Sequence, residues 1–159
     1  ITVHLREDRR HIQDTDVERL IRLVKTRVNL EMALNDEIID FACSVKPSDC
    51  CLVPEKRQEL TTEGGLDVFS QMDHLAEASE RLKKSGIRVA YFVDPEPKQI
   101  ESSRMAGAEV VELHTGTYAE ALSQKQIKYE LNRIRECATH GTNIGLKVHA
   151  GHEIGRAHV

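Results

Sequence analysis

Apolar side chains recur along this chain with two alternating periods. Ile1, Val3 and Leu5 interleave with Thr2, His4 and Arg6, which predicts a strand with one apolar face and one face bearing a histidine and an arginine. Val17, Leu20, Ile21 and Val24 then fall at helical spacing, after Asp14 or Asp16 as a candidate cap. The exchange repeats along the chain. Further strands are predicted at 27–32 (Val28, Leu30 and Met32 opposite Asn29 and Glu31), at 50–55, at 89–93 before Asp94, at 110–115 and at 146–151. Helices are predicted from Asn35 and Asp36 to Pro47, through Leu75, Ala78 and Leu82 to Gly86, and from about Pro97 to near Gly107. A last, long helix carries Ile127, Leu131, Ile134 and Ala138, with Gly141 as its stop. One connection is long and polar, from Lys56 to about Asp67, with Thr61-Thr62-Glu63-Gly64-Gly65 inside it. Loops of that length in compact domains are often functional, and Gly64-Gly65 permits close backbone approach to a ligand.

Strands alternating with helices specify a parallel sheet. A parallel sheet covered on both faces should be apolar on both, yet His4, Glu31, Glu112, His114, Lys147 and His149 interrupt these strands or sit at their tips. A flat doubly wound sheet would bury those groups under helices at high cost. A closed barrel gives them a shared interior and a wet mouth at the C-terminal strand ends. No Gly-x-Gly-x-x-Gly follows any strand, which also disfavours a dinucleotide-binding sheet. The expected fold is therefore α/β, a TIM (β/α)8 barrel of which six of the eight βα units are visible.

Composition narrows the function. A net charge of −4 argues against a general nucleic-acid binder, although Arg6, Arg9 and Arg10 make a local basic cluster. No apolar run is long enough to cross a bilayer. Cys43, Cys50, Cys51 and Cys137 form no Cys-x-x-Cys pair and no zinc spacing, and they are read as buried, small apolar side chains in a reducing cytoplasm.

The strand tips carry the candidate chemistry. His4, Glu31, Glu112 and His152 can each move protons near neutral pH in suitable surroundings. Arg6, Arg9, Arg10 and His11 can hold phosphate, with Thr61 and Gly64-Gly65 as further donors. Glu31 lies on an inward face between Leu30 and Met32, where a carboxylate needs a reason. By contrast, His114 and His149 read as hydrogen-bonded core histidines, and Glu55 as a rim partner of Lys56 or Arg57. A metal site from His4, Glu31 and His152 is possible by ligand type, but no spacing selects it. Together these groups suggest multi-step proton transfer on phosphorylated carbonyl compounds.

Five blocks lend this arrangement a resemblance. They are 3–11 (Val3 to His11), Asn29-Leu30-Glu31-Met32, 52–65 (Leu52-Val53-Pro54-Glu55 through Gly64-Gly65), Glu112-Leu113-His114-Thr115-Gly116 and Val148-His149-Ala150-Gly151-His152. In this order they closely resemble the pyridoxine 5'-phosphate synthase family across residues 1–152. The resemblance implies a cytoplasmic, transferase-class TIM-barrel enzyme of vitamin B6 biosynthesis that assembles as a homo-octamer and uses neither metal nor organic cofactor. Its partners would be small phosphorylated substrates, with no nucleic acid and no membrane. The implied reaction condenses 1-deoxy-D-xylulose 5-phosphate with 3-amino-2-oxopropyl phosphate to pyridoxine 5'-phosphate, phosphate and water. By resemblance, His4 and Glu31 are proton acceptors, His152 a proton donor and Glu112 a transition-state stabiliser, while Arg6, His11 and Thr61 bind the deoxyxylulose phosphate.

Residues 1–152 are expected to be a partial TIM-barrel catalytic domain, because the chain opens without Met inside a strand. The family's first strand would precede Ile1 and its last strand would follow His152, so this piece alone is expected to be inactive. Residues 153–159 fit no predicted element, and Glu153 stands where the family has Gly. They back-translate to GAGATCGGAAGAGCACACGTC, the start of a common sequencing-library adapter, and are expected to be a non-native tail in which His158 has no function. Two other readings remain open. One is another phosphosugar isomerase or aldolase, for which Lys147 is the strand-face Schiff-base candidate. The other is a non-catalytic barrel whose inward His and Glu side chains simply pair with one another.

Overall fold

A computed structural model of the protein describes residues 1–61 and 63–152. The expected tail at 153–159 and Thr62 of the long loop lie outside the described residues. The strands are β1 (Thr2–Leu5), β2 (Asn29–Met32), β3 (Asp49–Leu52), β4 (Arg88–Val93), β5 (Val110–His114) and β6 (Lys147–Gly151). The helices are α1 (Asp14–Leu23), α2 (Asp36–Val45), α3 (Met72–Lys84), α4 (Pro97–Met105), α5 (Gly116–Glu120) and α6 (Gln124–Asn143).

All five strand pairings are parallel, and the order runs β1-β2-β3-β4-β5-β6 without reversal. This order decides the architecture. Right-handed crossovers that always step in one direction place every helix on the same face of the sheet. A doubly wound sheet needs a point where the order reverses, and here there is none among the described strands. The sheet thus has a helix-covered outer face and an uncovered inner one, the wall of a barrel.

Side-chain alternation assigns residues to these faces. Outward-pointing Leu5, Leu30, Met32, Cys50, Leu52, Val89, Tyr91, Val93, Val111 and Leu113 are buried in one core with Val17, Ile38, Ile39, Ala42, Leu75, Leu82 and Ile100 from the helices. Removing one such leucine side chain costs roughly 2–5 kcal/mol, through lost burial and the cavity left behind. The inner face has only a small apolar patch, Cys51, Val53, Ala90, Phe92 and Val110. Cys50 and Cys51 therefore belong to opposite faces, and burial pushes both thiols up. Cys43 is only half-buried, unlike the expectation for it.

Local chemistry sets the element ends, with several differences from expectation. The residue before α1 is Gln13; Asp16 serves from inside the first turn, accepting the Gln13 backbone N–H at 3.0 Å. Asn35 caps α2, its side-chain oxygen accepting from the N–H groups of Glu37 and Ile38. Helix α6 runs through Gly141 to Asn143, because Gly141 faces Val148 so closely that a Cβ there would stand 2.9 Å from it. The stop is Gly145, whose φ of +87° is open to glycine at little cost. On the same helix Ile134 and Ala138 pack against the core, while Leu131 stays 41% exposed. The five-residue α5 was not expected; it is too short and polar to show a period. Strands β3 and β4 each begin one residue earlier than their apolar runs suggest, at Asp49 and Arg88. The long loop is not featureless: it holds a short 3-10 turn at Arg57–Glu59 and an antiparallel bridge between Leu60 and Leu66.

Candidate active site

Register brings the inward polar residues into rows. His4 lies opposite Glu31 across β1 and β2, and Glu31 lies opposite Cys51. Glu112 lies opposite Phe92 on one side and His149 on the other. His152 directly follows β6, with a φ of +85°. All of these point to the inner face or sit at the C-terminal strand ends, where barrel enzymes hold their substrates.

His4 stands between two carboxylates. Its Nε2 is 2.9 Å from Glu55 Oε1, and its Nδ1 is 4.0 Å from Glu31 Oε2. Glu55 is therefore not the rim partner of Lys56 that its neighbours suggested: Lys56 pairs with Glu7 at 2.8 Å, and the Glu55 side chain is 6% exposed. The second Glu55 oxygen accepts the Glu7 backbone N–H at 3.1 Å. Sequence could not reveal this contact, since 51 residues separate the partners.

Glu31 and Glu112 share the interior. Burial, with the charge of Glu31 added to it, pushes the Glu112 carboxyl above its ordinary value. His149 is exposed rather than a core histidine, because β6 is the outermost described strand on its side. Burial and the nearby charges of Lys147 and Arg88 lower its pKa, against the opposing pull of Asp49. Among the described residues no hydrogen bond engages Glu31, Glu112 or His152, so these groups have not paired off as a purely structural interior requires.

His114 is buried as a core histidine should be, but its Nδ1 has no hydrogen-bond partner among the described residues, unlike the expectation for it. It is 8% exposed, packs edge-on to Phe92 at 5.0 Å and lies 5.0 Å from the His152 ring. Its Nδ1 stands 3.5 Å from Asp94 Oδ1, longer than a formed hydrogen bond. Asp94 itself is fully buried at the tip of β4. Burial alone would raise its pKa, but His114, the Thr61 hydroxyl and the Gly65 N–H together hold it below the ordinary value. The Gly65 N–H donates to Asp94 at 2.9 Å, and a Cβ at Gly65 would stand 2.4 Å from the Asp94 nitrogen. The Gly-Gly pair thus lets the long loop close on the protein's own strand tip, and Thr61 is fastened by its hydroxyl to the same carboxylate.

The four residues of the basic cluster have different partners. Arg9 is engaged by Asp14 at 2.7 Å, by Glu37 at 2.6 Å and by the Glu7 carbonyl at 3.1 Å. Arg10 lies 3.3 Å from Asp8. The buried Nε of Arg6 has no hydrogen-bond partner among the described residues, its nearest carboxylate being Asp8 at 3.6 Å. His11 is exposed, with a φ of +69°. Of the four, Arg6 retains the most unused donor capacity next to His4. Lys147 is the first residue of β6, at the opposite end of that strand from His152, which is wrong for a Schiff-base lysine at the mouth. Among the described residues no three His, Cys, Asp or Glu side chains are grouped to hold a metal ion.

The opposite, N-terminal end of the inner face carries a cluster that sequence reasoning missed. Asp49 receives Arg27 through two contacts, at 2.9 and 3.0 Å, and Arg88 at 2.5 Å. These bonds hold Asp49 low despite its burial. A cavity of about 230 Å³ opens beside it, lined in part by Thr2, Asn29, Arg88, Glu112 and His149.

Against known proteins, the family model described as pyridoxal phosphate biosynthesis protein PdxJ matches residues 1–159. The chain belongs to the PdxJ family. Curated relatives called pyridoxine 5'-phosphate synthase agree: that of Trichlorobacter lovleyi is 53% identical over 159 residues, covering 100% of this chain and 66% of its own length. The Geobacter sulfurreducens protein is 54% identical over 159 residues with the same coverage. The Coxiella burnetii protein is 54% identical over 152 residues, 96% of this chain and 63% of its own. This PdxJ-family chain thus spans a little under two thirds of the length of these relatives. Solved structures support the fold alone. The tryptophan synthase A-subunit of Pyrococcus furiosus matches with a TM-score of 0.51 and 16% identity, over 86% of this chain and 60% of that one. A native KDPGal structure matches with a TM-score of 0.53 and 10% identity, over 98% and 72%. Among the described residues no helix is long and apolar enough to cross a membrane.

Proposed function

We propose that the complete protein is a transferase-class, cytoplasmic pyridoxine 5'-phosphate synthase. It condenses 1-deoxy-D-xylulose 5-phosphate with 3-amino-2-oxopropyl phosphate to pyridoxine 5'-phosphate, phosphate and water, and works as a homo-octamer. The observation that carries this reading is the grouping on the inner face of proton-transfer groups beside a guanidinium whose buried Nε has no hydrogen-bond partner among the described residues: Glu31 in register with His4, Glu112 on the same face, His152 just past β6, and Arg6 just past β1.

The chemistry needs that grouping. The amine of one substrate must add to the ketone of the other, water and phosphate must leave, and the ring must close; each step moves protons. Glu31 and the Nδ1 edge of His4 take protons from carbon or nitrogen. Glu112, whose carboxyl burial and Glu31 push above its ordinary value, stabilises the charge that develops in the transition state. His152 returns a proton to the departing group. Arg6, His11 and Thr61 hold the deoxyxylulose phosphate, Arg6 through a guanidinium whose Nε has no hydrogen-bond partner among the described residues. The reading assigns no metal and no organic cofactor.

The test is to assay the complete protein with both phosphorylated substrates and to follow pyridoxine 5'-phosphate and released phosphate. Formation of both supports the reading. A folded protein that releases neither product overturns it.

A further inference from the structure

We infer that Glu55 is a positioning residue for His4: it fixes the imidazole as the Nε2–H tautomer, so that the proton-accepting lone pair lies on Nδ1, on the side of Glu31. The inference deepens the proposed function and rests on its assignment of His4 as a proton acceptor.

An ionised carboxylate only accepts hydrogen bonds. One oxygen of Glu55 takes the Glu7 backbone N–H at 3.1 Å, and the other lies 2.9 Å from His4 Nε2. The proton in the second bond therefore belongs to the imidazole. A neutral ring protonated on Nε2 leaves Nδ1 as its base, and Nδ1 faces Glu31 Oε2 at 4.0 Å. That gap is too long for a direct hydrogen bond and wide enough for a substrate atom to approach both bases from the mouth.

Glu55 is itself held firmly. Its backbone N–H and that of Lys56 both donate to Glu59 Oε2, at 2.9 and 3.1 Å. Glu59 is 7% exposed, so the turn after β3 is pinned from below. Glu7, which supplies the N–H to Glu55, lies two residues past the end of β1, and its side chain reaches Lys56 Nζ and Asn35 Nδ2. Residues from the ends of β1 and β3 thus clamp one carboxylate behind one imidazole. When His4 takes a proton, the positive charge on the ring meets that carboxylate, as in His–carboxylate pairs generally.

Glu55→Gln separates this role from packing, because the side chain keeps its size. The Glu7 N–H demands the amide oxygen, which turns the amide NH2 towards His4 Nε2; the reverse placement opposes two donors. The substitution should invert the tautomer. The experiment uses the complete protein and reads the nitrogen-15 shifts of the His4 ring at a pH where it is neutral, with steady-state kinetics alongside. Wild type should show Nε2–H, and Glu55→Gln should show Nδ1–H. The variant's kcat should fall about 10²-fold, with KM within about threefold and an unchanged melting temperature. Nδ1–H in the wild type overturns the inference, as does a Glu55→Gln variant with wild-type kcat. A wild type that makes no pyridoxine 5'-phosphate removes the proposed function instead. The tautomer in that protein then decides the inference: Nε2–H supports the Glu55 clamp and Nδ1–H overturns it.

Discussion

The two ends of the inner face hold charges on very different terms. At the N-terminal end Asp49 is met by two guanidinium groups, at 2.5 to 3.0 Å, and its acceptors are in use. Towards the C-terminal end Glu31 has one partner at 4.0 Å and Arg6 a buried N–H with no hydrogen-bond acceptor among the described residues, while Glu112, in the middle of β5, has a like charge for a neighbour. The same sheet, helix-covered on one side only, supports both. Where charges serve structure, the fold supplies their partners. Under the proposed function, a substrate is the partner that the unengaged groups await.

The largest expected effect lies at the unengaged end. Glu31→Gln keeps the shape and removes a base, so turnover in the complete protein should fall about 10³-fold while the melting temperature holds. Near-normal turnover would end its role as a proton acceptor. At the paired end, Asp49→Ala leaves Arg27 and Arg88 facing each other without their counter-charge. Arg27 is 62% exposed, so water compensates in part, and the cost in denaturant unfolding should be about 2 kcal/mol rather than that of a fully buried pair. Between the two lies Thr61, which is both fastened to Asp94 and proposed to bind phosphate. Thr61→Val should raise the KM for 1-deoxy-D-xylulose 5-phosphate about tenfold and cost about 1 kcal/mol of stability. A stability loss with unchanged KM would assign Thr61 to structure alone.

The smallest effect sharpens the account of Glu112. Its folded pKa is raised above the ordinary 4.5, first by burial and then by Glu31. The folded state therefore keeps a proton that the unfolded chain releases. That contribution to stability is complete below the unfolded value and disappears as pH rises through the folded one. Glu112→Gln carries no such proton, so urea midpoints of wild type should fall relative to the variant between acid and neutral pH. Parallel midpoints would show that Glu112 titrates normally.

Much of the fold was legible because alternation reports faces. Val3/Leu5 against His4, and Leu30/Met32 against Glu31, fix both the strand and the side that needs an interior. The six strands and their barrel-like succession follow from that pattern, and so do the proton-transfer candidates at the tips. Pairing was not legible. Glu55 with His4, Thr61 with Asp94, and Asp49 with Arg27 and Arg88 join residues 22 to 51 positions apart on different strands and loops. Asp49 and Arg88 were missed for a specific reason: each precedes the apolar run that marks its strand, so pattern alone puts it in a loop. The end of α6 shows the same limit. Gly141 and Gly145 look alike as stop signals, and only the contact with Val148 tells them apart.

One measurement bears most directly on the distinction between the two ends. Turnover per folded molecule and melting temperature should be determined on the same preparations of complete wild type, Glu31→Gln and Asp49→Ala. The account predicts that Glu31→Gln loses turnover at an unchanged melting temperature, and that Asp49→Ala loses melting temperature with turnover per folded molecule intact. The reverse pattern, with Asp49 controlling turnover and Glu31 controlling stability, would contradict it.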